Sequence, residues 1–286
     1  MKRARFRVAV VQTQPVFGEV EENVTEALTL ASHALAAAGA ADLVIFPELF
    51  NTGYVFGSRR EALALAEDAG RGPTARALAA FCREHATVAV GGLCERRGSE
   101  LFNSAVWVGP RGARGVYRKV HLFAQEKRWF ARGREPWPVF RVGPARVGLM
   151  ICFDWRFPEV ARCLALAGAD VIAHPSNLVQ PHCQEAMRTR ALESRVFCAT
   201  ANRVGADRRR GRTVVFTGAS QVVDPSGRVL ARAGERRAEA MVVDLDLGQA
   251  RRKRVTETNH LLRDRVPGLY SALCREGRAR GTGGVR

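Results

Sequence analysis

Short apolar runs and longer runs with a helical repeat take turns along this chain. FRVAVVQ (6–12) reads as a strand, and EENVTEALTLASHALAAA (21–38) repeats its apolar positions every three or four residues, the spacing of a helix face. LVIF (43–46) predicts a buried strand. PTARALAAFCREHA (73–86) predicts a helix opened by Pro73 and Thr74. TVAVGGL (87–93), NSAVWV (103–108) and GVYRK (115–119) follow as strands, the last two joined by the turn GPRGARG. VFRV and VGLMI are strands, PEVARCLALAGA (158–169) a helix, and DVIAHP (170–175) a strand. QEAMRTRALESR (184–195) is a helix and VFCATANR (196–203) a strand. GASQVVDPSGRVLARA (218–233) is a hairpin turning at Pro225-Ser226-Gly227. Helices alternating with β-branched buried runs predict an α/β domain with a helix-covered sheet. No solenoid repeat and no Pro/Gly/Ser linker divides the chain, and the closing RARGTGGVR (278–286), without apolar period, is expected to be disordered.

Composition narrows this picture. The 286 residues are 47% hydrophobic and 26% charged, as in a folded protein rather than a disordered one. No run reaches eighteen apolar residues, and MKRARFRVAVVQTQ passes into strand alternation without a signal-peptide core. The expected location is therefore the cytoplasm, with no membrane partner. The seven cysteines form no CxxC pair and match no zinc spacing, so free thiols in a reducing compartment are expected, without disulfide, metal or other cofactor. The formal net charge of +17 raises nucleic acid as a partner. Its distribution argues against one: only Lys2, Lys119, Lys127 and Lys253 are lysines, and the arginines run along the whole chain. The dense clusters are RRRGR (208–212) and RRKR (251–254).

In open α/β sheets, ligands bind beyond the carboxyl ends of the strands. LVIF ends in Pro47-Glu48, GVYR in Lys119 and VGLMI in Cys152. An acid, a base and a thiol thus sit at three strand ends, and DVIAHP adds His174, Ser176 and Asn177 at a fourth. A thiol needs a base to become a nucleophile, and its attack on a carbonyl or nitrile carbon builds negative charge that an ammonium can offset. Glu48, Lys119 and Cys152 therefore suffice for acyl transfer without a metal. Each has a plainer reading: a turn carboxylate, a solvated strand-end charge and a buried space-filling thiol. Among the other cysteines, Cys82 and Cys163 fall in helical patterns and Cys198 in a strand. Cys94 lies beside ERRG and Cys274 near the tail. Cys183, next to His182, is the one rival expected to reach the surface.

FPELFNTGY (46–54), YRKVHLF (117–123) and ICFDWRFPE (151–159) resemble the three signature blocks of the nitrilase superfamily of carbon–nitrogen hydrolases. The resemblance runs from VAVVQTQP (8–15) to about DLDL (244–247), and HPSN (174–177), RALESR (190–195) and ANRVG (201–205) match in order. It implies a four-layer α-β-β-α sandwich, with a single hydrolase domain over 1–250 and a C-terminal extension over 251–286 that contacts a partner copy before the tail. It further implies Glu48 as general base, Lys119 as oxyanion stabiliser, Cys152 as nucleophile and the backbone N–H of Phe153 as second oxyanion donor. Glu126 fits a second family glutamate that orients the lysine and the substrate's amino group. Its plainer reading is an exposed loop acid paired with Lys127 or Arg128. Family members commonly form dimers, and 184–203 is a further expected contact.

The block CFDWRFPE departs from the Cys-Trp-Glu sequence of true nitrilases and looks more like the amidase and carbamoylase branches, and like archaeal nitrilase-like proteins. A small amide or N-carbamoyl compound is thus the expected substrate, with a small nitrile as the alternative and a catalytically idle binding protein as a further one. Tyr54, Trp129, Phe153, Trp155 and Asn177 are expected to line the pocket. No charged side chain can be assigned to a substrate's own carboxylate or amine. His121 and His174 are expected to be structural hydrogen-bonders.

Overall fold

The computed structural model describes residues 5–275, which fall into two compact units, one ending at Arg252 and one beginning at Lys253. The tail expected to be disordered lies outside the described residues. The first unit holds two six-stranded sheets. One has the order β14 (Glu239–Asp246), β1 (Arg5–Gln12), β2 (Leu43–Ile45), β3 (Val88–Arg97), β4 (Glu100–Gly109), β5 (Gly112–Arg118). The other runs β13 (Val229–Arg232), β12 (Gln221–Val223), β9 (Phe197–Ala201), β8 (Val171–Pro175), β7 (Ala145–Leu149), β6 (Val139–Val142). The central strands β1-β2-β3 and β7-β8-β9 are parallel, and the outer ones antiparallel.

Side-chain alternation explains the layers. Along β1, Phe6, Val8 and Val10 point into the space between the sheets, where they share one core with Leu43, Ile45, Val147 and Leu149. Ala9 and Val11 point the other way, with Val44 and Phe46, into a second core. Two helices close that core, α1 (Val20–Ala38) through Val24, Ala27, Ala31 and Leu35, and α3 (Pro73–Glu84) through Leu78, Phe81 and Cys82. The short α2 (Arg59–Leu65) lies between them in sequence, and α4 (Glu126–Trp129) follows β5. On the far side, α5 (Pro158–Leu166) and α6 (Cys183–Ser194) cover the second sheet. Gly148 lets α5 approach, because a Cβ there would stand 2.9 Å from Leu164. A last short helix, α7 (Leu247–Arg251), follows β14. The result is the four-layer α-β-β-α sandwich. Each fully buried Val, Leu, Ile or Phe on these faces contributes about 1.5–3 kcal/mol to folding.

Several elements have no counterpart in the sequence pattern: the short helices α2, α4 and α7, a hairpin of β10 (Ala206–Arg209) and β11 (Arg212–Val215), which includes the RRRGR cluster, and the strand β14. In the second unit, a turn over Thr256–Asn259 precedes a 3-10 helix at Pro267–Cys274. Among the described residues no helix is long and apolar enough to cross a membrane.

Candidate active site

Beyond the end of β2, the backbone stays beside β3. Phe46 donates to the Val90 carbonyl, Gly92 donates to Pro47, and Phe50 donates to Gly92. The chain then turns through Leu49, whose φ of +47° lies in the left-handed region, and this aims Glu48 inward. Gly92 makes the approach possible, since a Cβ there would lie 2.5 Å from the Glu48 Cα. Lys119 follows β5, its N–H donating to Asn103 and its carbonyl accepting from Gly133. Cys152 opens a 3-10 turn with φ +40°, an unfavourable conformation for a side chain with a Cβ. The turn is tied by Asp154, whose carboxylate accepts from Ile151 N–H, Tyr117 O–H and His121 N–H. From behind, the buried His174 donates from Nε2 to the Cys152 carbonyl at 3.0 Å, leaving Nδ1 to accept from Thr200.

The side chains meet in a buried network. Lys119 Nζ donates to Glu48 Oε1 at 2.6 Å and to Glu126 Oε1 at 2.9 Å. Asn103 Nδ2 donates to Glu48 Oε1 at 2.7 Å, and the Tyr54 hydroxyl donates to Glu126 Oε1 at 2.5 Å. The second Glu48 oxygen, Oε2, is buried with no hydrogen-bond partner. Asn177 links this group to the thiol: its Nδ2 donates to the Glu48 carbonyl at 2.8 Å, and its own carbonyl accepts from Cys152 Sγ at 3.7 Å.

Burial and charge set the protonation states. Burial pushes the Glu48 carboxyl upward and the charge of Glu126 adds to this, against the pull of Lys119 and Asn103. Burial likewise pushes the Cys152 thiol well above its ordinary range, Glu48 pushes it further, and Lys119 works the other way. Burial opposes the Lys119 charge, yet Glu126, Glu48 and Cys152 outweigh it and raise its pKa. The resting site thus holds a protonated thiol beside a firmly charged ammonium and a carboxyl made more basic than usual.

Cys152, Phe153, Trp155 and Asn177 line a narrow recess together with Phe123 and Val179. Phe123 and Val179 also line an adjoining cavity of about 220 Å³ that contains Tyr54, Trp129 and Glu126. The candidate site residues Glu48, Tyr54, Lys119, Glu126, Trp129, Cys152, Phe153, Trp155 and Asn177 therefore lie at this network or along these two spaces. Two of the alternatives weighed in sequence do not fit. Glu126 is buried in the network, so it is no exposed loop acid. Cys183, the first residue of α6, is fully buried in the core, where burial raises its thiol, so it does not reach the surface; Cys163 and Cys274 are the exposed thiols among the described residues. Asn103, Tyr117 and Asp154 escaped the sequence reading. Asn103 carried a signal, a polar residue on the same strand face as Ala105, whereas Asp154 showed only as part of its motif.

These layers and this buried thiol site define the class of molecule. The chain belongs to the carbon–nitrogen hydrolase family, whose model matches residues 7–255. It is 44% identical to a nitrilase of Pyrococcus abyssi over 264 residues, 92% of this chain and 98% of that one. It is 35% identical to an (R)-stereoselective amidase of a Pseudomonas species, covering 87% and 88% of the two chains. The crystal structure of an amidase from a Nesterenkonia species superposes with a TM-score of 0.78 at 26% identity, covering 96% of this chain and 98% of that one. The protein is thus an enzyme that hydrolyses carbon–nitrogen bonds.

Proposed function

We propose that the enzyme hydrolyses a small primary amide or N-carbamoyl compound to an acid and ammonia through a thioester on Cys152. The observation that carries this reading is the free Glu48 Oε2, buried beside a thiol while Oε1 is held by Lys119 and Asn103. Glu48 takes the thiol proton as sulfur attacks the carbonyl carbon. Lys119 Nζ and the Phe153 N–H receive the charge that develops on oxygen. Glu48 returns the proton to the departing ammonia, then activates the water that releases the acid. Glu126, fixed by Tyr54 and Lys119, orients the lysine and the substrate nitrogen, and the unpartnered Oδ1 of Asn177 is an acceptor for a substrate N–H. Trp155 and Trp129 bound the acyl chain. The enzyme works in the cytoplasm as a homodimer, its catalytic domain spanning 1–250 and its extension, 251–286, contributing to the partner contact.

The Pyrococcus relative favours a second reading, a small nitrile as substrate. Sulfur would then add to the nitrile carbon to give a thioimidate, and water would expel ammonia to leave the same thioester. Ammonia release from a panel of small amides, N-carbamoyl compounds and nitriles, by wild type and Cys152→Ala, tests both. Turnover of amides abolished in the variant supports the proposal. Turnover of nitriles alone selects the second reading, and turnover surviving in Cys152→Ala sinks both.

A further inference from the structure

The Phe153 N–H belongs to the same peptide unit as the Cys152 carbonyl. In a trans peptide the C=O and the N–H point to opposite sides. A group that holds the Cys152 carbonyl therefore also fixes the direction of the Phe153 N–H. Local preference does not hold this peptide, because Cys152 sits at φ +40°, where a residue with a Cβ stays only if its surroundings keep it there. The N–H itself donates to no group among the described residues. Cys152 and Phe153 both line the narrow recess beside Asn177, where a carbonyl under attack by the thiol has to lie.

The hold on the carbonyl comes from His174. This side chain is fully buried and is not among the residues that line the recess, so it acts from behind the peptide. Its Nε2 lies 3.0 Å from the Cys152 carbonyl oxygen and 3.0 Å from Ser176 Oγ. A carbonyl oxygen only accepts, so Nε2 carries the proton. Burial keeps the ring neutral, lowering its pKa from 6.5 to about 4, and Nδ1 is therefore bare. Thr200, opposite His174 in the β8–β9 register, donates to Nδ1 at 3.1 Å. That bond fixes both the tautomer and the ring plane. A hydrogen bond to an amide oxygen also polarises the amide and makes its N–H a stronger donor. We propose that His174 is a positioning residue for the oxyanion: through the Cys152–Phe153 peptide it aims the Phe153 N–H at the developing charge and strengthens it as a donor. This rests on the thioester reading above and extends the oxyanion site to a chain that runs from Thr200 through His174 to the peptide.

Two measurements on Cys152 separate the oxyanion donors from the thiol, and neither needs turnover. Alkylation by iodoacetamide displaces iodide at a methylene carbon and builds no charge on oxygen, so its rate reports the thiol alone. Mass spectrometry of the Cys152 peptide distinguishes this from reaction at the exposed Cys163 and Cys274. Propanal instead takes the sulfur at its carbonyl carbon: a carbon–sulfur bond forms, the carbonyl electron pair moves to oxygen, and the thiol proton passes to Glu48. Its affinity, read as protection from alkylation, therefore reports the donors. In His174→Met, of similar reach but without a donor, propanal binding weakens roughly 10- to 100-fold, less than the loss of an oxyanion donor outright, while alkylation proceeds as in wild type. His174→Gln, whose Nε2 stands as many bonds from the backbone as the imidazole Nε2, recovers most of the affinity. His174→Asn offers Thr200 an acceptor but falls short of the Cys152 carbonyl, so it weakens propanal as His174→Met does and replaces that variant if it fails to fold. Unchanged propanal affinity in the variants without a donor overturns the proposal, as do equal losses in His174→Gln and His174→Met. Alkylation that slows in step with propanal binding means a displaced thiol and overturns it too, as does a wild type that propanal does not protect. Propionamide hydrolysis, followed in parallel, separates the two readings. Propanal results as expected without ammonia from propionamide count against the amide reading alone, whereas hydrolysis with unchanged propanal affinity refutes only the role of His174.

Discussion

Asn103 donates to the same Glu48 oxygen as Lys119, which leaves Oε2 as the one oxygen able to accept a proton. Its hydrogen bond also lowers the Glu48 pKa against the effect of burial. Replacing it by an isosteric apolar residue, Asn103→Leu, should therefore raise that pKa. The acid limb of the kcat/KM–pH profile should move to higher pH, with a fall in rate of about tenfold or more; an unmoved limb would remove Asn103 from the account. His174 acts through the backbone of Cys152, and burial lowers its pKa from 6.5 to about 4. Its neutral form is the one that fits. Between those values the unfolded chain binds the extra proton and the folded one does not, so stability is complete above pH 6.5 and falls as the pH drops toward 4. The loss through this group is roughly 3 kcal/mol. Urea midpoints measured from pH 7 to 4 should show that decline in wild type and a flatter one in His174→Gln; parallel slopes would contradict it. Glu48, Lys119 and Cys152 were legible in sequence because each ends an apolar run. Asp154 and Tyr117 were not, because their bond joins two strand ends from different sheets.

Strand ends can converge only if backbones come close. Gly92 on β3 lies against the Glu48 backbone, and Gly133 lies so close to β5 that a Cβ would stand 2.1 Å from the Arg118 carbonyl. Gly92→Ala should push Glu48 from its seat, costing about 1–3 kcal/mol and at least tenfold in kcat with little change in overall fold. Thermal unfolding and kinetics read out the two effects, and wild-type kinetics would show that this contact does not position the base. The parallel strands were readable because both of their faces are buried, giving continuous runs such as LVIF. The β10–β11 hairpin was not, since its inward positions include Asp207 and Arg209, charges that a hydropathy pattern assigns to solvent. β14 is an edge strand whose side chains are mostly half-buried, so its two faces differ little in polarity.

The whole molecule carries a formal charge of +17, and no single cluster accounts for it. Such a field draws anions toward the surface and weakens as salt screens it. With that field over the surface, kcat/KM for an anionic amide should fall several-fold between low and physiological ionic strength, while that for a neutral amide stays level. Identical salt responses would leave the charge without a role in capture. The four-layer architecture followed from sequence through the resemblance of three separated blocks, since alternation alone gives helix-covered strands without fixing two sheets. The central claim is a covalent thioester common to different leaving groups. Its most direct measurement is the partition between acid and hydroxamate when hydroxylamine competes with water, for an amide and an ester of the same acyl group. One shared acyl-enzyme gives the same ratio from both at a fixed hydroxylamine concentration, and neither product forms with Cys152→Ala. A ratio that changes with the leaving group would mean that water attacks the substrate directly, and the Cys152 mechanism would be wrong.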